Sequence, residues 1–538
     1  MRILFDSRQT QYKTPFGTLR TGECCVLQIR IPTEVGASGV RLMLEDSEHA
    51  VCAELPFSFA SRGEDGYELW RLEFTRQETG LHFYWFRIDK RGGGSFRLFR
   101  QGRDTNMEAG EKWQLSVIPA DFRVPDFAPG AVMYQIFPDR FARSGSSDLT
   151  GKLQPFWVHE SPDELPEYRP DAHGEVRNND FFGGNFAGIR EKLPYLQELG
   201  VGVLYLNPIF MAWSNHRYDT ADYRRPDPML GTEEDFRALC DAAHARGMRV
   251  ILDGVFSHTG SNSVYFDAKH VFGHGAASDP NSPYRRWYRF HHYPDDYEAW
   301  WGIRTLPCVE ELDETYLNYI IEDEDSVIAH WLRLGADGFR LDVVDELPDE
   351  FVRRLRRRMR QIDPQSLLLG EVWEDASNKR AYGVSRRYFV DGELDSVMNY
   401  PWRNAIVAFL TDADDGTALG ESLMTLAENY PPEVLSCVMN HLGTHDTPRI
   451  LTVLGEPFRG TKDERAHRRM TPVQRKTALM RLRMAVFLQF TLPGMPCIYY
   501  GDEAGMEGFE DPFCRACYPW GREDEELQAY YRMMTALH

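Results

Sequence analysis

The sequence predicts an α/β protein: a (β/α)8 TIM barrel with a small inserted domain after its third strand, preceded by an N-terminal β-sandwich domain. Up to about residue 125, short stretches of alternating hydrophobicity are separated by turn residues at close spacing, which is typical of a sandwich. Beyond that point, eight continuous apolar runs alternate with helical patterns, which indicates parallel strands covered on both faces. One connection among them is far longer than the others.

The N-terminal segment is predicted to form a sandwich spanning residues 1–125. Its clearest strands are Cys25–Ile31, Gly39–Leu44, Leu81–Arg87 and Trp113–Val117. Three prolines between Pro119 and Pro129, followed by Gly130, mark the boundary to a catalytic domain over residues 126–538.

The eight apolar runs beyond the boundary predict the strands of the barrel. They are Ala131–Phe137, Val201–Leu206, Met248–Asp253, Ala336–Val343, Leu367–Val372, Asp395–Asn399, Leu435–Asn440 and Pro496–Tyr500. Helical spacing of Ile189, Leu193, Leu196 and Leu199 precedes the second run. Thr232 and Asp235 form a capping-box pattern that predicts a helix running to Gly247. A last helix around Leu527–Leu537 is expected to complete the barrel.

The long connection runs from His258 to about Thr315, between the third and fourth predicted strands. It is rich in aromatic residues and has no clear helical period. A connection of this length is usually functional or a small domain of its own, so residues 259–315 are predicted to form an inserted domain.

Composition excludes several classes of protein. The 538 residues carry 61 Lys+Arg against 82 Asp+Glu, a net charge of −21, which argues against a nucleic-acid or membrane partner. The N-terminal residues lack an apolar signal region, and no stretch is apolar enough to span a membrane. Nine scattered cysteines do not form a disulfide framework, and Cys514-x-x-Cys517 lacks the second pair of a zinc site. We therefore expect a cytoplasmic protein with reduced thiols.

Polar residues follow the predicted strands at their carboxyl ends, where barrel enzymes carry their active sites. The segments are Asp253–His258, Gly338–Asp342, Gly370–Trp373 and His441–Asp446, joined by Asn215–Asp219 after the second strand. Taken singly, an aspartate here could cap a helix, Arg340 and Asp342 could form a structural ion pair, and a histidine could be scaffolding. Unpaired carboxylates at three strand ends would repel each other, however, and stability alone would not select them. The combination predicts a catalytic rim.

The same segments resemble the signature regions of the α-amylase family, glycoside hydrolase family 13, and within it the neopullulanase, cyclomaltodextrinase and maltogenic amylase branch. Asp253–His258 is similar to D-x-V-x-N-H, with Ser257 in place of Asn, and Gly338–Glu346 is similar to G-W-R-L-D-V-A-N-E. The other matching segments are Gly370–Trp373, His445–Arg449, Gly130–Phe141 and Gly494–Glu503. The resemblance covers roughly residues 126 to 520, with all regions in order.

The resemblance implies three catalytic carboxyl groups. Asp342 would be the nucleophile that forms a covalent glucosyl ester, Glu371 the general acid and base, and Asp446 a residue that grips the sugar hydroxyls. This is the retaining double displacement, which needs two carboxyl groups about 5 Å apart. Arg340 would keep Asp342 ionised, because an adjacent cation lowers a carboxyl pKa.

The resemblance also implies substrate-binding residues. His216, His258 and His445 would hydrogen-bond sugar hydroxyls, Tyr218 would stack on the sugar ring, Asp253 would hold Arg340, and Glu346 would shape the acceptor side. Trp300 and Trp301 are either stacking platforms or the core of the insert. Cys308 and Glu310 stand where the branch has Lys and Asn, which departs from the family pattern.

These roles imply a retaining α-glucan hydrolase that cleaves α-1,4-glucosidic bonds in maltooligosaccharides, cyclodextrins or pullulan. Transglycosylation or α-1,6 debranching on the same residues, and a non-catalytic glucan-binding protein, are the alternatives. The N-terminal domain resembles a starch-binding-like module, which implies a homodimer formed through it. No cofactor is required and no metal ligands are assigned. The resemblance leaves a structural calcium ion open, but the loops Arg143–Asp148 and Gly183–Asn185 offer few ligands for it, so no calcium site is assigned. The C-terminal β-domain of relatives is expected to be absent after Trp520.

Overall fold

A computed structural model describes residues 2–107, 109–172 and 174–538 of the chain. It divides the chain into two compact units. The first contains the chain up to Arg123 together with Glu374–Asp395 and Gly420–Leu435, and the second contains Val124–Trp373, Ser396–Leu419 and Ser436–His538.

The first unit consists of two β-sheets that share one hydrophobic core. One sheet has four strands: Lys13–Thr14, Cys24–Pro32, Ser58–Arg62 and Tyr67–Thr75. The other has seven: Leu19–Arg20, Ala37–Glu45, Val51–Pro56, Gly80–Lys90, Ser95–Gln101, Asp104–Asn106 and Trp113–Ile118. Alternate residues of both sheets enter the core, among them Ile29, Leu42 and Phe86. The four strands predicted from alternating hydrophobicity are present, each longer than predicted.

Two later segments of the chain pack within this first unit, although the sequence analysis assigned them to the barrel domain. They contain the hairpin Arg380–Ala381 and Val384–Ser385, most of the helix Gly416–Asn429, and the helix Pro432–Leu435. The Arg8 side chain, only 5% exposed, pairs with Glu421 at 2.7 Å and Glu428 at 3.0 Å. This ion pairing is one physical reason why the later helical segment packs with the N-terminal sheets.

The second unit contains the eight-stranded parallel barrel. Its strands, named β1 to β8, are Met133–Ile136, Val203–Leu206, Arg249–Gly254, Gly338–Leu341, Leu367–Gly370, Ser396–Val397, Met439–His441 and Met495–Tyr499. Neighbours in sequence are neighbours in the sheet, β8 pairs with β1, and a bridge between Met398 and Met439 closes the ring. The predicted barrel is confirmed.

Helices follow most of the strands. They are Pro138–Phe141, Phe186–Glu198, Glu233–His244, Glu314–Leu317, Val327–Leu334, Asp349–Ile362, Tyr400–Leu410, Ile450–Val453, Lys462–His467, Pro472–Thr491 and Glu525–Leu537. The capping box predicted at Thr232 and Asp235 is present. The helix before β2 starts at Phe186, three residues before the first apolar position of the predicted pattern, because the Asn185 side chain caps it.

The second unit also contains short two-stranded sheets outside the barrel. Trp157–Val158 pairs with Asp180–Phe181, and Phe210–Ala212 pairs with Thr220–Pro226. The segment after β3 forms the hairpin Phe290–His292 and Asp296–Tyr297, with aromatic rings clustered around Phe266. Across the described residues, helices suited by length and apolarity to crossing a bilayer are not found.

Candidate active site

A buried arginine lies at the centre of the predicted catalytic rim. Arg340 on β4 is 1% exposed, and its Nη1 lies 2.8 Å from carboxylate oxygens of both Asp253 and Asp342. Its Nη2 lies 2.6 Å from Glu371 Oε2. Asp253 and Arg340 are register partners on adjacent parallel strands, and Arg340 and Asp342 share one strand face at i, i+2. Glu371 directly follows β5, the next strand in the sheet, so parallel pairing gathers all four side chains.

The charges around Arg340 determine the protonation of Asp342. Burial raises the pKa of Asp342 well above its usual value, Arg340 lowers it, and the nearby Glu371 and Asp253 raise it again. The expectation that Arg340 keeps Asp342 ionised therefore describes only one of several opposing effects, and together these effects raise the pKa of Asp342. The Asp342 carboxyl group therefore retains its proton to a higher pH than an isolated aspartate would.

Two donors besides Arg340 fix the Glu371 carboxyl group. Its Oε2 accepts a hydrogen bond from the Val343 backbone N–H at 2.9 Å, and its Oε1 accepts one from Trp373 Nε1 at 3.1 Å. Val343 has a left-handed backbone conformation, with φ of 34°, which is unusual for a β-branched residue. The carboxyl group is thereby held at the mouth of the barrel beside Asp342.

Asp446 lies in the loop after β7 between two cationic or polar partners. His445 Nε2 is 3.0 Å from its Oδ2, and Arg515 Nη2 donates to its Oδ1 at 3.2 Å. Burial raises the pKa of Asp446, but His445, Arg515 and Arg340 together lower it below its usual value. Asp446 is therefore ionised. Arg515, which also donates through Nε to the His445 carbonyl at 2.9 Å, was missed by the sequence analysis because its loop has no periodic pattern.

Tyr218 is held by hydrogen bonds to its hydroxyl group. The hydroxyl lies 2.8 Å from Asp253 Oδ2, 2.6 Å from His445 Nε2 and 3.1 Å from Asn207 Nδ2. Its ring stacks on that of His445 with 5.3 Å between centroids and 8° between planes. The orientation of the Tyr218 ring is thus determined by groups from three neighbouring parts of the rim.

The three predicted histidines differ in their free hydrogen-bonding capacity. The Tyr218 backbone N–H donates to His216 Nδ1 at 3.1 Å, which leaves Nε2–H of the neutral ring as a donor towards the cleft. His258 Nε2 donates to the Tyr218 carbonyl at 3.2 Å, and His445 Nδ1 accepts from Gln135 Nε2 at 2.9 Å. Burial lowers the pKa of both His216 and His258 to about 4, so both are neutral at pH 7. Sugar binding by these histidines stays a prediction.

A cleft of about 1270 Å³ opens above these groups. Its volume exceeds the roughly 300–1,000 Å³ of typical small-molecule pockets. Seven predicted residues line it: His216, Tyr218, His258, Asp342, Glu371, His445 and Asp446. Asp253 and Arg340 are buried in contact with Asp342 or Tyr218. Lining residues that the sequence analysis did not assign include Trp213, Tyr400, Asp511 and Arg515; the aromatic ones carry no pattern that distinguishes them from core residues.

The insert contributes a pair of stacked indoles to the wall of the cleft. Trp300 and Trp301 have ring centroids 4.3 Å apart and planes within 9°. Trp301 is 59% exposed, and its Nε1 donates to Glu346 Oε1 at 3.0 Å. Glu346 is thus connected to the cleft through Trp301. Glu310, one of the two residues that differ from the family pattern, forms an ion pair with Arg289 at 2.5 Å.

Among the described residues, the side chains that could hold a metal ion are not gathered at one place. Within the parts of the chain that the structure describes, no three His, Cys, Asp or Glu side chains are grouped to hold a metal ion. In the loop considered for calcium, Asn185 Oδ1 accepts from Gly188 N and Ser144 N, and Asp148 Oδ1 accepts from Thr150 N. These oxygens are used within the loop, and the donor set does not fit a calcium cage.

The fold is a parallel (β/α)8 barrel whose rim gathers three carboxyl groups around one buried arginine. The family model "Alpha amylase, catalytic domain" matches residues 135–535. An amylopullulanase from Thermoanaerobacter thermohydrosulfuricus is 35% identical over 98% of this chain and 38% of its own length. A cyclomaltodextrinase from Geobacillus thermopakistaniensis is 33% identical over 77% of this chain and 63% of its own. A solved cyclomaltodextrinase structure, 27% identical, covers 100% of this chain and 84% of its own with a TM-score of 0.65.

The chain belongs to the α-amylase family, glycoside hydrolase family 13. The resemblance stated from the sequence motifs is thereby confirmed. The chain spans less than two thirds of the length of both curated relatives named above.

Proposed function

We propose that this chain is a retaining α-glucan hydrolase that cleaves α-1,4-glucosidic bonds in maltooligosaccharides, cyclodextrins or pullulan. The observation that carries the proposal is the shared contact of Asp342 and Glu371 with one guanidinium at the floor of a large cleft. A retaining mechanism needs two neighbouring carboxyl groups, about 5 Å apart, one as nucleophile and one as acid, and a shared guanidinium holds these two side by side.

In the first step, the Asp342 carboxylate bonds to the anomeric carbon while Glu371 gives its proton to the departing glycosidic oxygen. In the second step, Glu371 takes a proton from water, the water oxygen bonds to the anomeric carbon, and Asp342 leaves as a carboxylate. Negative charge therefore moves from Asp342 to Glu371 and back. Arg340 contacts both groups at 2.8 and 2.6 Å, so it stabilises either charge distribution without moving.

The remaining rim residues would bind the sugar at the cleavage point. Asp446, ionised beside Arg515, would accept hydrogen bonds from ring hydroxyls as the ring distorts. His216 has a free Nε2–H donor, and Tyr218 offers a ring of fixed orientation for stacking. Asp253 would hold Arg340 in place, and Glu346 would position Trp301 on the acceptor side.

A product profile tests the substrate class. Maltoheptaose, pullulan and β-cyclodextrin are incubated with the enzyme, and the products are separated by chromatography. Shorter maltooligosaccharides from at least one of them support the proposal, whereas products longer than the substrate indicate transglycosylation and α-1,6 cleavage of pullulan indicates debranching. If none of the three substrates yields a product, the proposal is wrong.

Covalent trapping tests the mechanism. A 5-fluoro glycosyl fluoride should leave a sugar ester on Asp342, located by peptide mass spectrometry. Asp342→Asn should abolish this adduct, and the matched control Asp345→Asn, three residues along the chain, should retain it. If Glu371→Gln leaves the hydrolysis measured in the preparation unchanged, that hydrolysis does not arise from this site, the carboxyl mechanism is wrong, and a non-catalytic glucan-binding role gains support.

We further infer a homodimer formed through the N-terminal unit and a cytoplasmic location. Similarity of that unit to a starch-binding-like module supports the first, and the free state of all nine cysteines among the described residues supports the second. Sedimentation that gives only monomer at micromolar concentration would remove the dimer.

A further inference from the structure

A strained arginine separates two residues of the cleft. Arg217 lies between His216 and Tyr218 in the connection from Phe210–Ala212 to Thr220–Pro226. Its φ is 63°, a left-handed conformation that L side chains rarely adopt and that glycine adopts freely. His216 and Tyr218 line the cleft, whereas Arg217 is 0% exposed. The sequence thus retains a large cationic side chain at a position where the backbone favours glycine.

The Arg217 guanidinium is held below the rim by one shared carboxylate. Its Nε is 3.5 Å from Asp227 Oδ2, and its Nη1 donates to the Asn215 carbonyl at 3.0 Å. Among the described residues, Nε and Nη2 have no hydrogen-bond partner. Incomplete hydrogen bonding of a buried cation is unfavourable, although the Phe181 ring, whose centroid lies 5.6 Å from the guanidinium carbon, adds a cation–π contact.

A second buried cation binds the same carboxylate. Lys152 Nζ donates to Asp227 Oδ2 at 2.7 Å and to the Ala212 carbonyl at 2.7 Å. The side chains of Lys152 and Asp227 are both 0% exposed. Asp227 Oδ1 accepts from the Met229 backbone N–H at 2.9 Å. Lys152 therefore holds the start of the connection through Ala212, and Arg217 holds its middle, both through Asp227.

We propose that Lys152, Asp227 and Arg217 form a positioning cluster that fixes the His216–Tyr218 segment in its catalytic geometry. This proposal rests on the proposed function for its kinetic consequences. The cluster does not touch the cleft. It acts through the backbone on Tyr218, whose hydroxyl must remain within reach of both Asp253 and His445.

Kinetics on maltooligosaccharides separate a positioning role from a structural one. Arg217→Met and Lys152→Met should lower kcat at least tenfold with a smaller change in KM. The matched control is Lys13→Met in the first unit, which also removes a buried lysine, one that donates to the Gly17 carbonyl. It should lower the melting temperature and leave kcat of the folded protein unchanged. If Arg217→Met and Lys152→Met behave like this control, the proposal is wrong.

Arg217→Gly and a double variant complete the test. Arg217→Gly relieves the backbone strain and keeps the chain foldable, yet should lose kcat as Arg217→Met does. In Tyr218→Ala, adding Arg217→Met should cause little further loss, because the segment has then already lost what the cluster positions. Losses that multiply independently would overturn the proposal.

A crystal structure of Arg217→Gly gives a readout that does not depend on activity. We expect the Tyr218 hydroxyl to lose its contact with Asp253 or His445. An unchanged Tyr218 contradicts the positioning cluster even if the enzyme hydrolyses α-glucans. A displaced Tyr218 in the variant, when the wild-type protein is inactive on every α-glucan, supports the cluster and refutes the proposed function instead.

Discussion

One guanidinium holds three carboxyl groups at the ends of three adjacent barrel strands. Each of these contacts is 2.8 Å or shorter, and Arg340 is almost fully buried. Removing a carboxylate from this cluster and removing the cation have opposite electrostatic consequences. The first removes an unfavourable buried charge, and the second leaves three carboxyl groups without their partner.

Asp342→Asn should therefore inactivate the enzyme without destabilising it. We expect kcat on maltoheptaose to fall by at least about 10³-fold, because the nucleophile is lost. The melting temperature should stay the same or rise, because burial already disfavours the charged Asp342. Arg340→Met, in contrast, should lose about 3–5 kcal/mol of unfolding free energy in urea titrations. Equal destabilisation by both substitutions would contradict this account of the cluster.

His258 should make stability depend on pH. Its pKa in the folded protein is lowered to about 4 from a usual value of 6.5, so the unfolded chain binds its proton first as the pH falls. Stability from this residue is complete above pH 6.5 and is lost between pH 6.5 and 4, amounting to about 2 kcal/mol by pH 5.

The measurement is urea unfolding of the wild type and of His258→Gln at pH 7.5 and pH 5. Glutamine retains an N–H donor for the Tyr218 carbonyl and does not titrate in this range. The variant should lose about 2 kcal/mol less than the wild type on acidification. Equal losses in both proteins would show that His258 is not buried neutral.

Individual site residues differed in how far the sequence could predict them. Asp253, Arg340 and Glu371 were predictable because each lies on or directly after an apolar strand, where the fold fixes its location. Arg515 reaches Asp446 and Trp373 reaches Glu371 from irregular segments, where tertiary packing alone determines proximity. Arg217 was hidden for another reason: an arginine between two site residues gives no sign of pointing the other way.

At the scale of elements, the approach of β4 to β5 controls the geometry of the catalytic pair. Gly338 begins β4, and a Cβ atom there would lie 2.1 Å from the Leu367 carbonyl oxygen, which is backbone and cannot rotate away. A side chain at this position must separate the two strands. Separation would also lengthen the contact between Arg340 and Glu371.

Gly338→Ala should accordingly lower both stability and activity. We expect a loss of about 3 kcal/mol in unfolding free energy, together with a large fall in kcat. Gly202→Ala is the control, because a Cβ atom at Gly202, just before β2, meets no atom closer than 3.8 Å. Chemical denaturation and initial rates check both variants. A stable, active Gly338→Ala enzyme would mean that the strands are not this closely packed.

The strands and capped helices followed from hydrophobic runs and capping patterns because local sequence determines them. Their ends did not follow as well: the run Asp395–Asn399 gives only the two-residue strand Ser396–Val397. A strand ends where its neighbour stops pairing, and that depends on the whole sheet. The insert after β3 likewise gave no period, since its short hairpin and turns are stabilised by aromatic packing.

At the scale of the whole molecule, the chain enters the first unit three times. The segments Glu374–Asp395 and Gly420–Leu435 follow β5 and β6 in sequence but pack with the N-terminal sheets. Sequence reasoning could not detect this, because the segments carry the turn and helix patterns expected of barrel connections. The boundary near residue 125 therefore marks a change of pattern rather than the limit of a self-contained module.

Deletion of the chain up to Arg123 should consequently damage more than the N-terminal unit. The two later segments would lose the partners they pack against, and Glu428, which is 5% exposed, would lose Arg8. We expect aggregation or a broadened thermal transition in size-exclusion chromatography and calorimetry. A monodisperse, fully active product starting at Val124 would show that the first unit is dispensable for folding.

The closure of the barrel has a consequence for its motions. Within the described residues, backbone pairing of β6 with β7 consists of the bridge between Met398 and Met439 and the Asn399 amide donating to the Met439 carbonyl at 2.9 Å. The Ser396 hydroxyl adds a hydrogen bond to the Cys437 carbonyl at 2.6 Å, and the Asn399 side chain adds one to Asn440 at 2.9 Å. A ring of parallel strands opens first where its pairing is shortest. In hydrogen–deuterium exchange, amides along this seam should therefore exchange earlier than those of β3 and β4, so local opening of the ring would start between the strands that lead to Glu371 and Asp446.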